Sequence, residues 1–118
     1  RPKCGRDRGD CGAWSGLPTG ESVRSCLIFA IEVDRQEITT LEGLSKDKPT
    51  PLQQAFVDHS SFQCGFCAPG IIITATELLQ KNPHPTKDDI KEAIAGNLCR
   101  CTGYEPIIEA ILDASRNT

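Results

Sequence analysis

The chain lacks most features that would assign a function directly. It has no methionine, only two histidines, and 5% aromatic residues. The net charge of −3 provides no basic surface for nucleic acid or an anionic membrane. There is no apolar run long enough for a signal peptide or a membrane segment, no Walker loop and no Ser-His-Asp arrangement. We therefore expect no nucleic-acid partner, no membrane segment and no site of substrate turnover on this chain.

Cysteine, in contrast, is abundant, with seven residues among 118. An odd number argues against a purely disulfide-bonded secreted scaffold, so the sequence favours reduced thiolates in a cytoplasmic protein. A chain of this length forms one modest domain or two small lobes, and small lobes commonly need a metal or cross-links for stability. The lack of an initial methionine predicts that the sequence begins inside a longer gene product or that the chain was cut.

Four of the cysteines form two tight pairs. Cys64-x2-Cys67 is followed, after 31 residues, by Cys99-x-Cys101. Four thiolates suit tetrahedral zinc or an iron–sulfur cluster. The Cys-x-Cys pair is unusual for zinc, and Cys67 runs directly into a predicted helix rather than into a zinc knuckle. The spacing favours iron–sulfur, with structural zinc and unliganded thiols as alternatives.

The second half of the sequence predicts four short helices. Thr50-Pro51-Leu52-Gln53 has the pattern of a capping box with proline at the first helical position, and Thr86 to Asp89 repeats the capping pattern. The other two helices follow Cys67 and begin at Pro106. The predicted buried positions recur at helical spacing: Leu52, Ala55, Phe56; Ile71, Ile72, Ala75, Leu78, Leu79; Ile90, Ala93, Ile94, Leu98; Ile107, Ile108, Ile111, Leu112, Ser115.

Four such helices predict a compact bundle. Antiparallel packing would bring the two cysteine pairs to one end of this bundle, beside helix N-termini whose partial positive charge favours an anionic thiolate centre. His59 falls at the end of the first helix and His84 between two prolines, so both are interpreted as surface or cap residues rather than ligands.

The first part of the chain predicts a small β-rich lobe. A strand is expected over 22–28, and a hairpin is expected from 31–33 and 37–39 around a turn that lacks glycine. The polar segment 43–49 marks the boundary, which gives one lobe over 1–48 and a helical domain over 49–118. Cys4, Cys11 and Cys26 lie in a glycine-rich context that is either an ordinary loop or a backbone folded around a bound group.

The cysteine motifs closely resemble those of a known family. Gln63-Cys64-Gly65-Phe66-Cys67-Ala68-Pro69-Gly70, with Gly96-Asn97-Leu98-Cys99-Arg100-Cys101-Thr102-Gly103-Tyr104, resembles the small iron–sulfur subunit of the molybdenum hydroxylases. Xanthine dehydrogenase, aldehyde oxidoreductase and aerobic carbon monoxide dehydrogenase belong to that family. The resemblance extends from about Gly9 to Ala114.

The resemblance implies an α+β fold, with a plant-ferredoxin-like β-grasp lobe followed by a four-helix bundle, and two [2Fe–2S] clusters. It assigns one cluster to Cys64, Cys67, Cys99 and Cys101. Gln63 and the backbone around Cys101 would approach molybdopterin on a large partner subunit. Electrons would pass through both clusters to FAD on a medium partner subunit, or to another acceptor. The remaining alternative is a small zinc-stabilised interaction module.

The first lobe departs from the family pattern of Cys-x4-Cys-x2-Cys and a later fourth cysteine. Cys11 and Cys26 keep the family separation, but Arg6 and Trp14 stand where two ligands are expected, and Cys4 is the available substitute. Residues 14–19 also replace what is normally a clean strand, and the family's opening strands are missing upstream of Arg1. Three explanations are open: a degraded lobe, an imperfectly read or truncated sequence, and real ligand replacement. We favour the second, and a truncated lobe would have a sheet with an unpaired edge.

Overall fold

The computed structural model describes residues 3–13 and 15–117 and has an α+β architecture. Its elements, in chain order, are β1 (Ser15–Pro18), β2 (Val23–Arg24), β3 (Ile38–Thr39), α1 (Pro51–Asp58), α2 (Ala68–Lys81), α3 (Lys87–Ile94) and α4 (Glu105–Arg116). Short 3-10 turns occupy Ser25–Leu27, Ala30–Val33 and Leu41–Leu44. Among these residues there is no helix with the length and apolar character needed to cross a membrane.

The predicted starts of α1 and α3 are confirmed. The Thr50 hydroxyl accepts the Gln53 N–H at 3.2 Å, and the Gln53 side chain accepts the Thr50 N–H at 2.8 Å. Thr86 and Asp89 make the same reciprocal pair at α3. Each pair satisfies backbone donors that a helix cannot satisfy internally, and therefore fixes where the helix begins.

The core lies among the four helices. Its largest fully buried apolar side chains come from all of them: Phe56, Ile71, Ile73, Ile90, Ile107 and Ile111. The prediction for Leu98 is wrong, because α3 ends at Ile94 and the Leu98 side chain is 55% exposed. The loop turns there so that the Leu98 N–H can donate to the carbonyl of Cys11 at 2.8 Å.

The first lobe differs more from the expectation. Its three strands have the order β2-β1-β3, and both pairings are antiparallel. The strand predicted over 22–28 is reduced to β2, because a 3-10 turn begins at Ser25. The predicted hairpin is wrong: residues 30–33 form a 3-10 turn, closed by the Glu32 carboxylate on the Phe29 N–H at 2.7 Å, and β3 pairs with β1.

The strand that the sequence suggested was lost around 14–19 is present. Ser15–Pro18 forms β1, the central strand of the sheet, and pairs through Leu17 with Thr39 and through Gly16 with Val23. Pro18 is tolerated because it ends the strand. Trp14, the residue at one expected ligand position, lies outside the described residues.

The sheet contributes little to the core. Ala13 and Leu17 are buried, whereas four large apolar side chains of this lobe are more than half exposed: Leu27, Phe29, Ile31 and Ile38. The helical part therefore has a core of its own, and the sheet is stabilised largely by its contacts with the helices.

One such contact involves Glu77 on α2. Its carboxylate accepts the Ser22 N–H at 2.9 Å and forms an ion pair with Lys81, and the side chain is only 16% exposed. Burial alone would raise the pKa of Glu77, but the hydrogen bonds from Lys81 and Ser22 outweigh it and hold the pKa below the ordinary value of 4.5.

Replacing Glu77 by glutamine should give a pH-dependent loss of stability. Because the folded-state pKa is lowered, the carboxylate stabilises the fold above about pH 4.5, and this stabilisation is lost as the pH falls through the folded-state pKa. We expect Glu77→Gln to lower the free energy of unfolding by about 1 kcal/mol at pH 7 and by progressively less below pH 4.5. Urea unfolding between pH 3.5 and 8, with the exposed α3 residue Glu92→Gln as control, measures this difference. An equal loss at every pH would contradict the assignment.

Candidate metal centre

The two cysteine pairs meet at one end of the helical part. The Cys64 and Cys101 sulfurs lie 3.6 Å apart. The Cys67 and Cys99 thiols are neighbours, since each affects the pKa of the other. Cys67 immediately precedes α2, and the loop carrying Cys99 and Cys101 connects α3 to α4. The structure thus combines one cysteine of each sequence motif in each spatial pair.

This pairing fits a binuclear iron centre. Two thiolates on one tetrahedral metal, at a metal–sulfur distance of about 2.3 Å, lie about 3.7 Å apart. The measured 3.6 Å for Cys64 and Cys101 agrees with two ligands of a single iron. A [2Fe–2S] cluster needs two thiolate pairs, and this end of the helical part brings two pairs of cysteines together.

The two pairs differ in their environment. Cys64 and Cys101 are exposed, Cys99 is half-buried and Cys67 is only 8% exposed. Burial raises the pKa of the Cys67 thiol to about 12. At Cys64 the N–H of Phe66 lowers the pKa, and at Cys101 the hydrogen bond to Cys64 raises it. One pair therefore faces outward, and the other faces the interior.

The loop between α3 and α4 is held by Tyr104 and Thr102. The Tyr104 hydroxyl accepts the Cys99 N–H at 2.8 Å and donates to the Asn97 carbonyl at 3.0 Å. Thr102 Oγ1 lies 3.1 Å from the Cys99 sulfur and also accepts the Tyr104 N–H. Burial opposes ionisation of Cys99, but the hydrogen bond with Thr102 helps to lower its pKa. Such contacts orient a ligand sulfur and tune its basicity.

The sequence motif contains Tyr104 and Thr102, but sequence reasoning gave neither residue a role. Tyr104 adopts a left-handed backbone conformation with φ of 72°, which is uncommon for a bulky residue. That conformation allows its ring to turn back under the loop. Polar residues beside the Cys-x-Cys pair could have indicated that the loop is held by side-chain hydrogen bonds. The sequence does not show that the Tyr104 hydroxyl reaches Cys99 and Asn97.

Gln63 is placed beside the outward pair. Its side-chain N–H donates to the Cys101 carbonyl at 3.2 Å, and the residue is exposed. The two positions predicted to approach a pterin therefore lie together on the surface. Phe62 and Phe66, which are close to Gln63 in the sequence, are 41% and 39% exposed.

The other three cysteines form a looser group in the first lobe. Partial desolvation and the negative charges of Asp7, Cys26 and Cys11 raise the pKa of Cys4. The N–H groups of Ala13, Arg6 and Gly5 point at the Cys11 sulfur and lower its pKa. The Arg6 side chain is 69% exposed and lies 3.7 Å from Asp10.

A complete [2Fe–2S] centre requires four ligands. The part of the chain that the structure describes supplies only three cysteines here, so these residues do not by themselves fit a second cluster.

The histidines agree with their predicted roles. His59 caps α1 and contacts Asp113 at 3.1 Å, and His84 is exposed.

The fold and the two thiolate pairs define an iron–sulfur electron carrier, and the comparisons with known proteins agree. The model of the protein family described as "[2Fe-2S] binding domain" matches residues 40–112 of this chain. The nicotine 6-hydroxylase small subunit of Paenarthrobacter nicotinovorans is 53% identical over 112 residues, which cover 95% of this chain and 68% of that protein. The nicotinate dehydrogenase small FeS subunit of Eubacterium barkeri is 47% identical, over 92% of this chain and 70% of that protein.

Solved structures give the same result. Quinoline 2-oxidoreductase from Pseudomonas putida 86 superimposes with a TM-score of 0.94 at 43% identity, covering 98% of this chain and 73% of that one. Aldehyde oxidoreductase from Desulfovibrio gigas gives a TM-score of 0.92 at 42% identity, over 97% of this chain but 13% of a much longer one. The chain belongs to the [2Fe–2S]-binding family of small iron–sulfur subunits of molybdenum hydroxylases. It is an oxidoreductase component that transfers electrons, as the resemblance predicted.

Proposed function

We propose that Cys64, Cys67, Cys99 and Cys101 hold a [2Fe–2S] cluster that carries electrons away from a molybdopterin site on a partner. Cys64 and Cys101 would hold one iron, and Cys67 and Cys99 would hold the other. The observation that carries this proposal is the pairing of the thiols across the two motifs, with 3.6 Å between the outer sulfurs. When bound, the cluster supplies one-electron redox chemistry, and the protein tunes it through hydrogen bonds to sulfur and through burial.

The partner-facing surface is the one around the outer pair. Gln63 donates there to the Cys101 carbonyl, and Phe62, the preceding residue in the chain, is 41% exposed. Exposed apolar side chains around polar groups are typical of a docking surface. We propose that a molybdopterin-binding large subunit docks here and brings the pterin to Gln63 and Cys101. That partner is a separate subunit or the rest of a longer chain.

Electrons leave on the inner side, toward the first lobe. The Leu98 N–H, adjacent to Cys99, donates to the Cys11 carbonyl at 2.8 Å and so connects the inner pair to the first lobe. The final acceptor is FAD on a medium subunit, or another carrier. The requirement for reduced thiolates supports a cytoplasmic location.

For the first lobe we propose part of a plant-ferredoxin-like β-grasp over residues 1–48, followed by a four-helix bundle over 49–118. The separate core of the helices and the exposed apolar residues of the sheet support this division. Cys11 and Cys26, with Cys4, are the residues that would contribute to a second cluster, which requires a fourth ligand in addition.

Iron analysis tests the function. Protein purified without air should be brown, with visible charge-transfer absorption, and should contain about two iron and two sulfide per chain. The absorption should bleach on reduction by dithionite and return on reoxidation. About four irons would show that the first lobe also binds a cluster. A colourless, zinc-replete and iron-free protein would replace the electron-transfer proposal with the zinc-stabilised interaction module.

A further inference from the structure

A buried amide joins the first lobe to the cysteine-bearing loop. Asn97 is 4% exposed and lies between α3 and Cys99. Its side-chain N–H donates to the Gly12 carbonyl at 3.0 Å, and its side-chain oxygen accepts the Thr74 hydroxyl at 3.1 Å. Both polar ends of this side chain are therefore satisfied by different parts of the chain, one in each lobe.

The orientation of the amide is determined by its partners. A backbone carbonyl can only accept, so the NH₂ group must face Gly12, and the oxygen is left for the Thr74 hydroxyl. Aspartate at position 97 would have nearly the same shape but would place an acceptor against the Gly12 carbonyl. The site therefore discriminates between asparagine and aspartate by hydrogen-bond donation.

The two backbones approach closely at this point. A Cβ added to Gly12, whose φ is +68°, would lie 2.4 Å from the Gly96 carbonyl oxygen. The Gly96 carbonyl in turn accepts a guanidinium N–H of Arg24 at 2.8 Å, and the neighbouring Leu98 N–H reaches the Cys11 carbonyl. The Cys11–Gly12 backbone therefore packs closely against residues 96–98, and the Asn97 amide contacts it there.

We propose that Asn97 is a positioning residue that fixes the Cys11–Gly12 backbone against Leu98 and Cys99. This inference rests on the proposed function, because it gives Asn97 the role of setting the contact between the cysteine sites of the two lobes. Asn97 does not contact the iron ligands through its side chain. It acts through the Gly12 carbonyl on one side and through its own carbonyl, bonded to Tyr104, on the other.

Hydrogen exchange of the purified, cluster-loaded protein provides the structural test. Asn97→Asp and Asn97→Ala remove the donor to Gly12, and we expect about tenfold faster exchange of the Leu98 amide in both. Thr74→Val removes only the group that orients the amide, and we expect about threefold faster exchange. Asn117→Ala, which deletes an exposed amide at the end of α4, is the matched control and should leave the rate unchanged.

Electron paramagnetic resonance of the reduced protein distinguishes a positioning role of Asn97 from an effect on stability alone. Asn97→Asp should change the line shape of the cluster signal at unchanged iron content, and Asn117→Ala should not. Leu98 exchange within twofold of wild type in the Asn97 variants, or an unchanged signal, would overturn the inference. Should the Asn97 variants fail to fold, unchanged exchange in Thr74→Val would overturn it equally. If the wild-type protein lacks iron, the proposed function fails, while exchange in the metal-free protein still decides the role of Asn97.

Discussion

Replacing Cys99 by serine should abolish the cluster of the helical domain. Cys99 pairs with the most buried thiol, Cys67, and is itself held by Thr102 Oγ1 at 3.1 Å and, through its N–H, by Tyr104. Serine is a harder ligand, and its hydroxyl does not ionise readily in a half-buried site. We expect visible absorption and iron content to fall by at least about fivefold, with loss of the reduced-state resonance signal.

Cys4→Ser is the matched control for this change. Cys4 is an exposed thiol of the first lobe, so its replacement should leave the helical centre and its signal intact. A Cys99→Ser protein with wild-type absorption and iron content would show that the ligand set is wrong. If Cys4→Ser and Cys99→Ser both lost this signal, the cysteines of the first lobe and those of the helical centre would not be independent.

Adding a methyl group at Gly70 should strongly destabilise the protein. In an isolated helix, glycine to alanine would stabilise by about 1 kcal/mol. Here, however, the new Cβ would lie 2.1 Å from the Gly12 carbonyl oxygen and 3.2 Å from the Asn97 amide nitrogen. The backbone of the first lobe must move, which breaks the hydrogen bonds that hold it. We expect a net loss of about 2–3 kcal/mol and a fall in Tm of about 10 °C.

Thermal unfolding followed by circular dichroism measures this loss. Gly43→Ala is the control, because its Cβ would meet only a methyl carbon of Thr39 at 3.4 Å. That variant should unfold within about 2 °C of wild type. If Gly70→Ala were as stable as Gly43→Ala, the close packing of Gly12 against α2 would be incorrect.

The helices could be predicted because their determinants are local. Thr50 with Gln53 and Thr86 with Asp89 are three residues apart, and each pair closes its cap without help from the rest of the chain. Apolar residues at helical spacing then identified most of the core. Leu98 failed this rule because it lies beyond the end of α3, in a loop shaped by a contact with Cys11.

The first lobe was predicted less well, because its strands are short and their pairing is nonlocal. Residues 31–33 alternate like a strand, but the Glu32 side chain closes a 3-10 turn there. β1 has no clear strand pattern, and it forms because two partners, β2 and β3, satisfy its backbone on either side. Strand propensity depends on such partners more than on the residues themselves.

For the candidate metal centre, the sequence by itself determined the family, because the motif around the cysteines is a property of the residues. Spacing alone favoured an iron–sulfur site and left structural zinc and unliganded thiols as alternatives. Only the tertiary structure decided that Cys64 pairs with Cys101 and Cys67 with Cys99, and that one pair is exposed and the other enclosed. It also brought the Asn97 amide to Gly12, 85 positions away along the chain. Contacts of this kind depend on how whole elements pack, and the spacing of residues along a chain does not encode them locally.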